Sequence, residues 1–245
     1  MKKIIVIILF FCGLILISNA QVMQRKQVWN KPLYDSYPFH YGLAIGLNTM
    51  NMKIINSGSF FMLDTVYSVE SESQPGFSIL MVTNLRLGEN FDLRFTPGLV
   101  FGQRNLYYLL RDQRDDFSNP VDVNLYEHVM RIESTFLTFP LLLKYRSSRV
   151  NNYRPYIIAG VNFCYDLESE KKIRAEEEPK IRLQRKDFYI ESGFGIDYYF
   201  PYFKFSTELK FSLGLLDILR RDGTEYTRAI EKINSRFVSL TFYFE

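Results

Sequence analysis

Nine charged residues of both signs share the polar side of segments that are otherwise rich in Phe, Tyr, Leu and Ile: Arg86, Asp92, Arg94, Lys144, Arg154, Glu191, Asp197, Glu208 and Lys210. On one face, mixed charges of this kind can neutralise one another in pairs, so they are expected to fill an interior rather than to line a pore. Other groups capable of chemistry are few. His40 falls on the same polar face, but a general base needs a partner held within hydrogen-bond reach, and the sequence nominates none. A structural role is therefore the expectation for His40. His128 stands beside Glu127 and Glu133, too far from His40 in sequence to make a metal motif. Asp115-Asp116 has neither the spacing nor the glycine of a calcium loop. Nucleophile-elbow, phosphate-loop and dinucleotide fingerprints are absent from the sequence. No catalytic residue, metal or cofactor is expected.

The elements that must position these charges are strands. From Phe39 onward apolar and polar residues alternate with a period of two. Phe39, Tyr41, Leu43, Ile45 and Leu47 oppose His40, Gly42, Ala44, Gly46 and Asn48; near Thr49 the phase slips, as a β-bulge would make it. Seven more alternating segments follow, around Phe77–Leu87, Phe91–Gly102, Leu137–Tyr145, Tyr153–Asp166, Phe188–Tyr198, Phe203–Leu213 and Val238–Phe244. Pro97, Pro140 and Pro155 interrupt them and call for bulges or strand beginnings, because proline cannot donate to a ladder.

A soluble sandwich would alternate in the same way, so the connections decide. They run long (Asn56–Ser73), short (Gly88–Asn90), long (Arg111–Asn124), short (Ser147–Asn152), long (Glu168–Lys186), short (Phe200-Pro201) and long (Asp217–Asn234). Short turns at one end and long loops at the other are the mark of an outer-membrane barrel. The fold expected is all-β: an eight-stranded antiparallel transmembrane β-barrel with both termini on the short-turn, periplasmic side. Tyr41, Phe91, Tyr145, Tyr153, Phe200, Tyr202 and Phe242 are expected at the membrane interfaces. In the last long loop Tyr226, Ala229, Ile230 and Ile233 at helical spacing, with Thr224 as cap, predict a short helix. The third long loop carries dense charge of both signs and reads as a solvated loop or a docking surface. Leu240, Phe242 and Phe244 make the last strand amphipathic, as the strand engaged by barrel-assembly machinery is, although the chain ends on Glu245.

Composition agrees. The 245 residues include 22 Phe and 17 Tyr, types that favour strands. Lys+Arg minus Asp+Glu is 30 − 27 = +3, without a basic block, which argues against a nucleic-acid partner. Lys2-Lys3, the apolar run Ile4–Ile17 and Ser18-Asn19-Ala20 read as a secretory signal peptide over residues 1–20. Residues 21–36 then form a short periplasmic segment and 37–245 the barrel domain. Cleavage leaves Cys164 as the sole cysteine, expected as a packing residue.

The stretches "HYGLAIGLN" (40–48), "NLRLGENFDLRFTPGLVFGQR" (84–104), "FPLLLKYRSSRVNNYRPYIIAGVNFCYDL" (139–167), "FKFSTELKFSLGLLDILRRD" (203–222) and "SRFVSLTFYFE" (235–245) resemble the PorT family. That family belongs to the type IX secretion system of Bacteroidota and is sometimes grouped with gliding-motility components. The resemblance implies a cell outer membrane location and a non-catalytic accessory role in cargo export. It also implies outer-membrane lipids and other type IX secretion components as partners, and it supplies no catalytic residue. The rival readings are a barrel enzyme acting on lipid A or surface peptides with His40 as base, and a structural or adhesin-like barrel working through its loops.

Overall fold

The computed structural model describes residues 29–57, 66–111, 125–168, 181–221 and 225–245. The expected signal peptide, Asp115-Asp116, Thr224 and most of the third long loop fall outside them. The chain forms β1 (Phe39–Asn56), β2 (Val66–Glu72), β3 (Gln74–Arg86), β4 (Phe91–Phe95), β5 (Gly98–Arg111), β6 (Leu125–Arg146), β7 (Tyr153–Asp166), β8 (Lys186–Tyr199), β9 (Lys204–Gly214) and β10 (Ile230–Phe244). All ladders are antiparallel, and β1 pairs with β3 on one side and β10 on the other, which closes the sheet on itself.

These ten segments make a ring of eight. Two positions of the ring are each built from two segments. β2 extends β3 across Ser73, both pairing with β5. β4 and β5 share the place between β3 and β6, parted at Thr96-Pro97. The break has a visible cause. Pro97 has no N–H to give, and neither has Pro140, which stands opposite the same gap in β6 and whose carbonyl accepts from the Thr96 N–H at 3.3 Å. Two prolines share one interruption. Pro155 faces the turn where β6 ends, its carbonyl accepting from Ser147 N–H at 3.1 Å.

Side-chain polarity divides the barrel along its axis. Near the short turns the outward residues are apolar: Phe39, Tyr41, Leu43, Ile45 and Leu47 of β1 are each at least half exposed. The band continues through Ile79 and Met81, Leu141 and Leu143, Ile157 and Val161, Phe188 and Ile190, and Phe211 and Leu213. Such a surface suits hydrocarbon, where a closed ring satisfies every backbone group internally. Further up, the outward positions become Lys53, Glu70, Glu72, Glu127, Arg131, Glu133, Glu231 and Arg236, all exposed. Inward positions there are apolar, with Met52, Val66, Val69, Leu106, Met130 and Ile233 among one buried cluster.

Two expectations are corrected by the strands themselves. The pairing of β1 runs without a slip through Thr49, and Asn48, Met50 and Met52 all face inward. What changes at Thr49 is the kind of residue inside, not the phase. The last long loop forms a single helical turn, α1 (Glu225–Arg228), and Ile230 and Ile233 belong to β10. Their spacing of three comes from a register shift opposite Ile55/Asn56, where Glu231 is the extra residue. Both isoleucines therefore face inward.

Candidate functional site

The inward face of the apolar-coated half gathers the charges. Arg94 (β4) reaches Glu208 (β9) at 2.6 Å, and neither side chain is accessible. Glu208 also accepts from the Tyr156 hydroxyl at 3.0 Å and the Tyr243 hydroxyl at 2.6 Å. The guanidinium of Arg94 lies 4.5 Å from the Tyr243 ring centre and donates through Nε to Asn84 at 2.8 Å. Lys144 (β6) donates to both oxygens of Asp197 (β8) at 2.9 and 2.7 Å and sits 3.7 Å over the Tyr156 ring. Ser206 adds a third bond to Asp197 at 2.6 Å. Successive inward positions of β4, β6, β7, β8, β9 and β10 thus converge on one layer. Gly195, in register with both Tyr156 and Glu208, makes room for it, since a Cβ there would stand 2.5 Å from the Tyr156 ring. A second layer holds Lys210 and Glu191 at 2.9 Å, with Asn162 and Ser212 donating to the same carboxylate at 2.8 and 2.9 Å.

The short-turn mouth is closed by the segment ahead of β1. A 3₁₀ turn, Tyr34–Ser36, places Asp35 between Arg146 (3.0 Å) and Arg154 (3.1 Å), and Arg146 also meets Asp92 at 3.3 Å. The Tyr34 hydroxyl donates to Glu245 at 2.7 Å. Burial and the neighbouring carboxylate push that phenol well above its ordinary range. Asn30 ties the segment to Asn152 and to the Tyr199 carbonyl, both at 3.0 Å. Glu245, the last residue, turns inward and is held by Lys204 at 2.7 Å and Asn84 at 2.9 Å.

Of the residues singled out by sequence, Asp92, Arg94, Lys144, Arg154, Glu191, Asp197, Glu208 and Lys210 all lie buried on the inner wall. Arg86 stands apart at the rim, its Nε donating to the Gly88 carbonyl at 3.0 Å. Sequence reasoning missed Asp35, Arg104, Arg146, Asp166, Lys204 and Glu245. Arg104 pairs with Asp166 at 3.0 Å and donates to Ser134 at 2.6 Å near the start of the apolar half. Alternation placed Asp166 and Lys204 on the polar faces of their segments and so held a signal for them; Asp35 comes in from outside the strands and carries no such mark. His40 Nε2 lies 2.8 Å from the Tyr34 carbonyl, and its ring stacks on Tyr34 at 3.9 Å, so it buttresses the mouth. Among the described residues, no three His, Cys, Asp or Glu side chains cluster as a metal site. Cys164 packs with Met50, Phe136, Tyr189 and Phe237 between the charged and apolar halves. Leu240 and Phe244 face outward on the final strand, with Phe242 between them on the same side.

Little space is left inside. A void of about 40 Å³ beside Asn48, Thr138, Glu191 and Thr241 has room for water and for nothing larger. The apolar cluster stands above it. The arrangement can brace the wall and exclude solutes.

The sequence profile of the family described as "Outer membrane protein beta-barrel domain" matches residues 19–220. Among solved structures, the chain is similar to the outer membrane protein OprG of Pseudomonas aeruginosa, at 11% identity over 83% of this chain and 92% of that one, with a TM-score of 0.43. It is also similar to Neisserial surface protein A (11% identity, 82% and 95% covered, TM-score 0.37). A third similarity is to Ail, the attachment invasion locus protein of Yersinia pestis (9% identity, 83% and 96% covered, TM-score 0.32). No curated protein matches the chain significantly.

Proposed function

This chain belongs to the outer membrane protein β-barrel domain family, and from that premise we propose that it is a closed, non-catalytic accessory of the type IX protein secretion system. The observation that carries the non-channel part is the filled interior: Asp35 with Arg146 and Arg154 at the mouth, Arg94 with Glu208 in the middle, and the apolar cluster above. A ring of eight has an interior only wide enough for side chains, so cargo cannot pass through it. The work is done by its surfaces, on other secretion components and on the lipid around it. The secretion role itself is supported by the resemblance of five stretches to the PorT family, with its link to gliding motility. In this reading residues 1–20 are a cleaved signal peptide, and Leu240, Phe242 and Phe244 present the final strand to barrel-assembly machinery.

The test is deletion of the gene, followed by recovery with the wild-type chain. The expected result is that type IX cargo accumulates inside the cell envelope and returns to the medium on complementation. Normal export in the deletion strain would overturn the proposal. His40→Gln is expected to complement fully with lipid A unchanged by mass spectrometry, because the His40 ring is already committed to Tyr34.

A further inference from the structure

At the short-turn rim the segment ahead of β1 runs past the outer wall and leaves a groove of about 520 Å³ between them. Leu33 and Tyr37 line one side, Phe39 and Tyr41 the other, and all four are half exposed or more. Lys31 stands at the same groove. We propose that this groove seats one glycerophospholipid of the leaflet at the short-turn end, with an acyl chain against Phe39 and Tyr41 and its phosphate at Lys31.

Two observations commit the groove to that occupant. First, its apolar wall is continuous with the lipid-facing band, since Phe39 and Tyr41 begin the row that continues as Leu43, Ile45 and Leu47. A chain lying there stays in contact with hydrocarbon. Second, the charge is complementary. Glu245 also borders the groove, but it is already held by Lys204, Asn84 and Tyr34. Lys31 lies over the Tyr34 ring, 5.2 Å from its centre, and among the described residues no carboxylate stands within ion-pair distance of it, Glu245 and Lys204 acting on its charge from further away. Among the described residues the groove therefore presents a cation without an ion pair of its own beside an apolar wall, the pattern an anionic headgroup on an acyl chain would fill. Aromatic side chains at this level are the usual anchors at headgroup depth.

The inference rests on the outer-membrane placement and is independent of the secretion role. It is tested on the full mature chain in detergent by native mass spectrometry with added phosphatidylglycerol. One bound lipid is expected for the wild type and for Lys31→Arg. Removing the charge in Lys31→Gln is expected to lower retention about fivefold, as the loss of one lysine near a charged lipid surface should, and Lys31→Glu should lower it further. Diacylglycerol with the same chains should bind weakly. Heat-modifiable gel mobility, unchanged in all variants, shows that the barrel stands; its absence from the wild type would count against the membrane barrel itself. Equal phosphatidylglycerol retention in Lys31→Glu, or equal retention of diacylglycerol, overturns the proposal. So does a protein found in place of the lipid.

Discussion

Asp197 and Leu106 both point into the barrel and both are almost inaccessible, yet they are held by opposite means. Asp197 is fixed by two bonds from Lys144 and one from Ser206, whereas Leu106 lies among Met52, Val69, Met130 and Ile233. The difference follows from what surrounds each half. The hydrophobic effect needs water to expel apolar groups from. Around Leu106 the outer wall carries Lys53, Glu72, Glu127 and Arg131 and faces water, so apolar residues gather inside as in a soluble protein. Around Asp197 the outer wall is Phe, Ile and Leu facing hydrocarbon. Burying more apolar side chains inside gains nothing there, and cohesion has to come from hydrogen bonds and ion pairs. The two halves should therefore fail differently when cut.

The largest effect is expected from Glu208→Ala. It leaves the Arg94 guanidinium with Glu245, 3.8 Å away, in place of its 2.6 Å partner, and removes the acceptor of both the Tyr156 and Tyr243 hydroxyls. Breaking one side of a buried pair costs about 3–5 kcal/mol, read as a lower denaturant midpoint for refolded barrel in lipid vesicles. The double variant Arg94→Met/Glu208→Leu should recover part of that loss, because removing both charges leaves neither unpaired, while the Tyr156 and Tyr243 hydroxyls still lack their acceptor. If the double variant were as unstable as the sum of its singles, the pair would not be acting as a pair.

The charged layer was the most legible part of the molecule in the sequence, since strict alternation puts Arg94, Lys144, Asp197 and Glu208 on one face of their segments. The ring was legible through the rhythm of its connections. The same alternation misled at Thr49, because a change in what fills the interior shifts the apolar positions just as a bulge does. It misled again at Ile230 and Ile233, where a real bulge produced the spacing of a helix. Asp35 and Tyr34 were out of reach for another reason. Their partners, Arg146, Arg154 and Glu245, are far away in sequence, and nothing local to a three-residue turn announces that it will close a mouth. Glu245 read as a flaw in an aromatic C-terminus, and became intelligible only once Lys204 and Asn84 were seen around it.

In the upper half the matching cut is Leu106→Ala. Leu106 is fully buried among apolar neighbours, so its truncation should cost about 3 kcal/mol, the ordinary loss for a leucine removed from a packed core. The loss should be local. Hydrogen exchange in lipid-embedded protein is expected to rise in β5 and β6 above Arg104, while the strands around Asp197 stay protected. Equal loss of protection in both halves would mean that the barrel has one cooperative core, not two.

The outer wall offers the finest distinction, because it locates the boundary between the halves. Leu43, at the middle of the exposed row of β1, is placed in hydrocarbon by the polarity of its neighbours, so Leu43→Arg should cost about 2–3 kcal/mol in lipid. Val129 on β6 is also apolar and exposed, but Glu127 and Arg131 flank it on the same face. Val129→Lys should therefore change stability by less than about 0.5 kcal/mol, as for an ordinary surface position in water. Both substitutions put a cation on an outward β-strand position, and neither touches the interior. The change of residue type accounts for a few tenths of a kcal/mol, about the scale of strand preference, so a difference of about 2 kcal/mol comes from the medium each side chain meets. A measurable cost at Val129 would move the membrane edge above Arg131, and the apolar cluster inside would then need an explanation other than water outside.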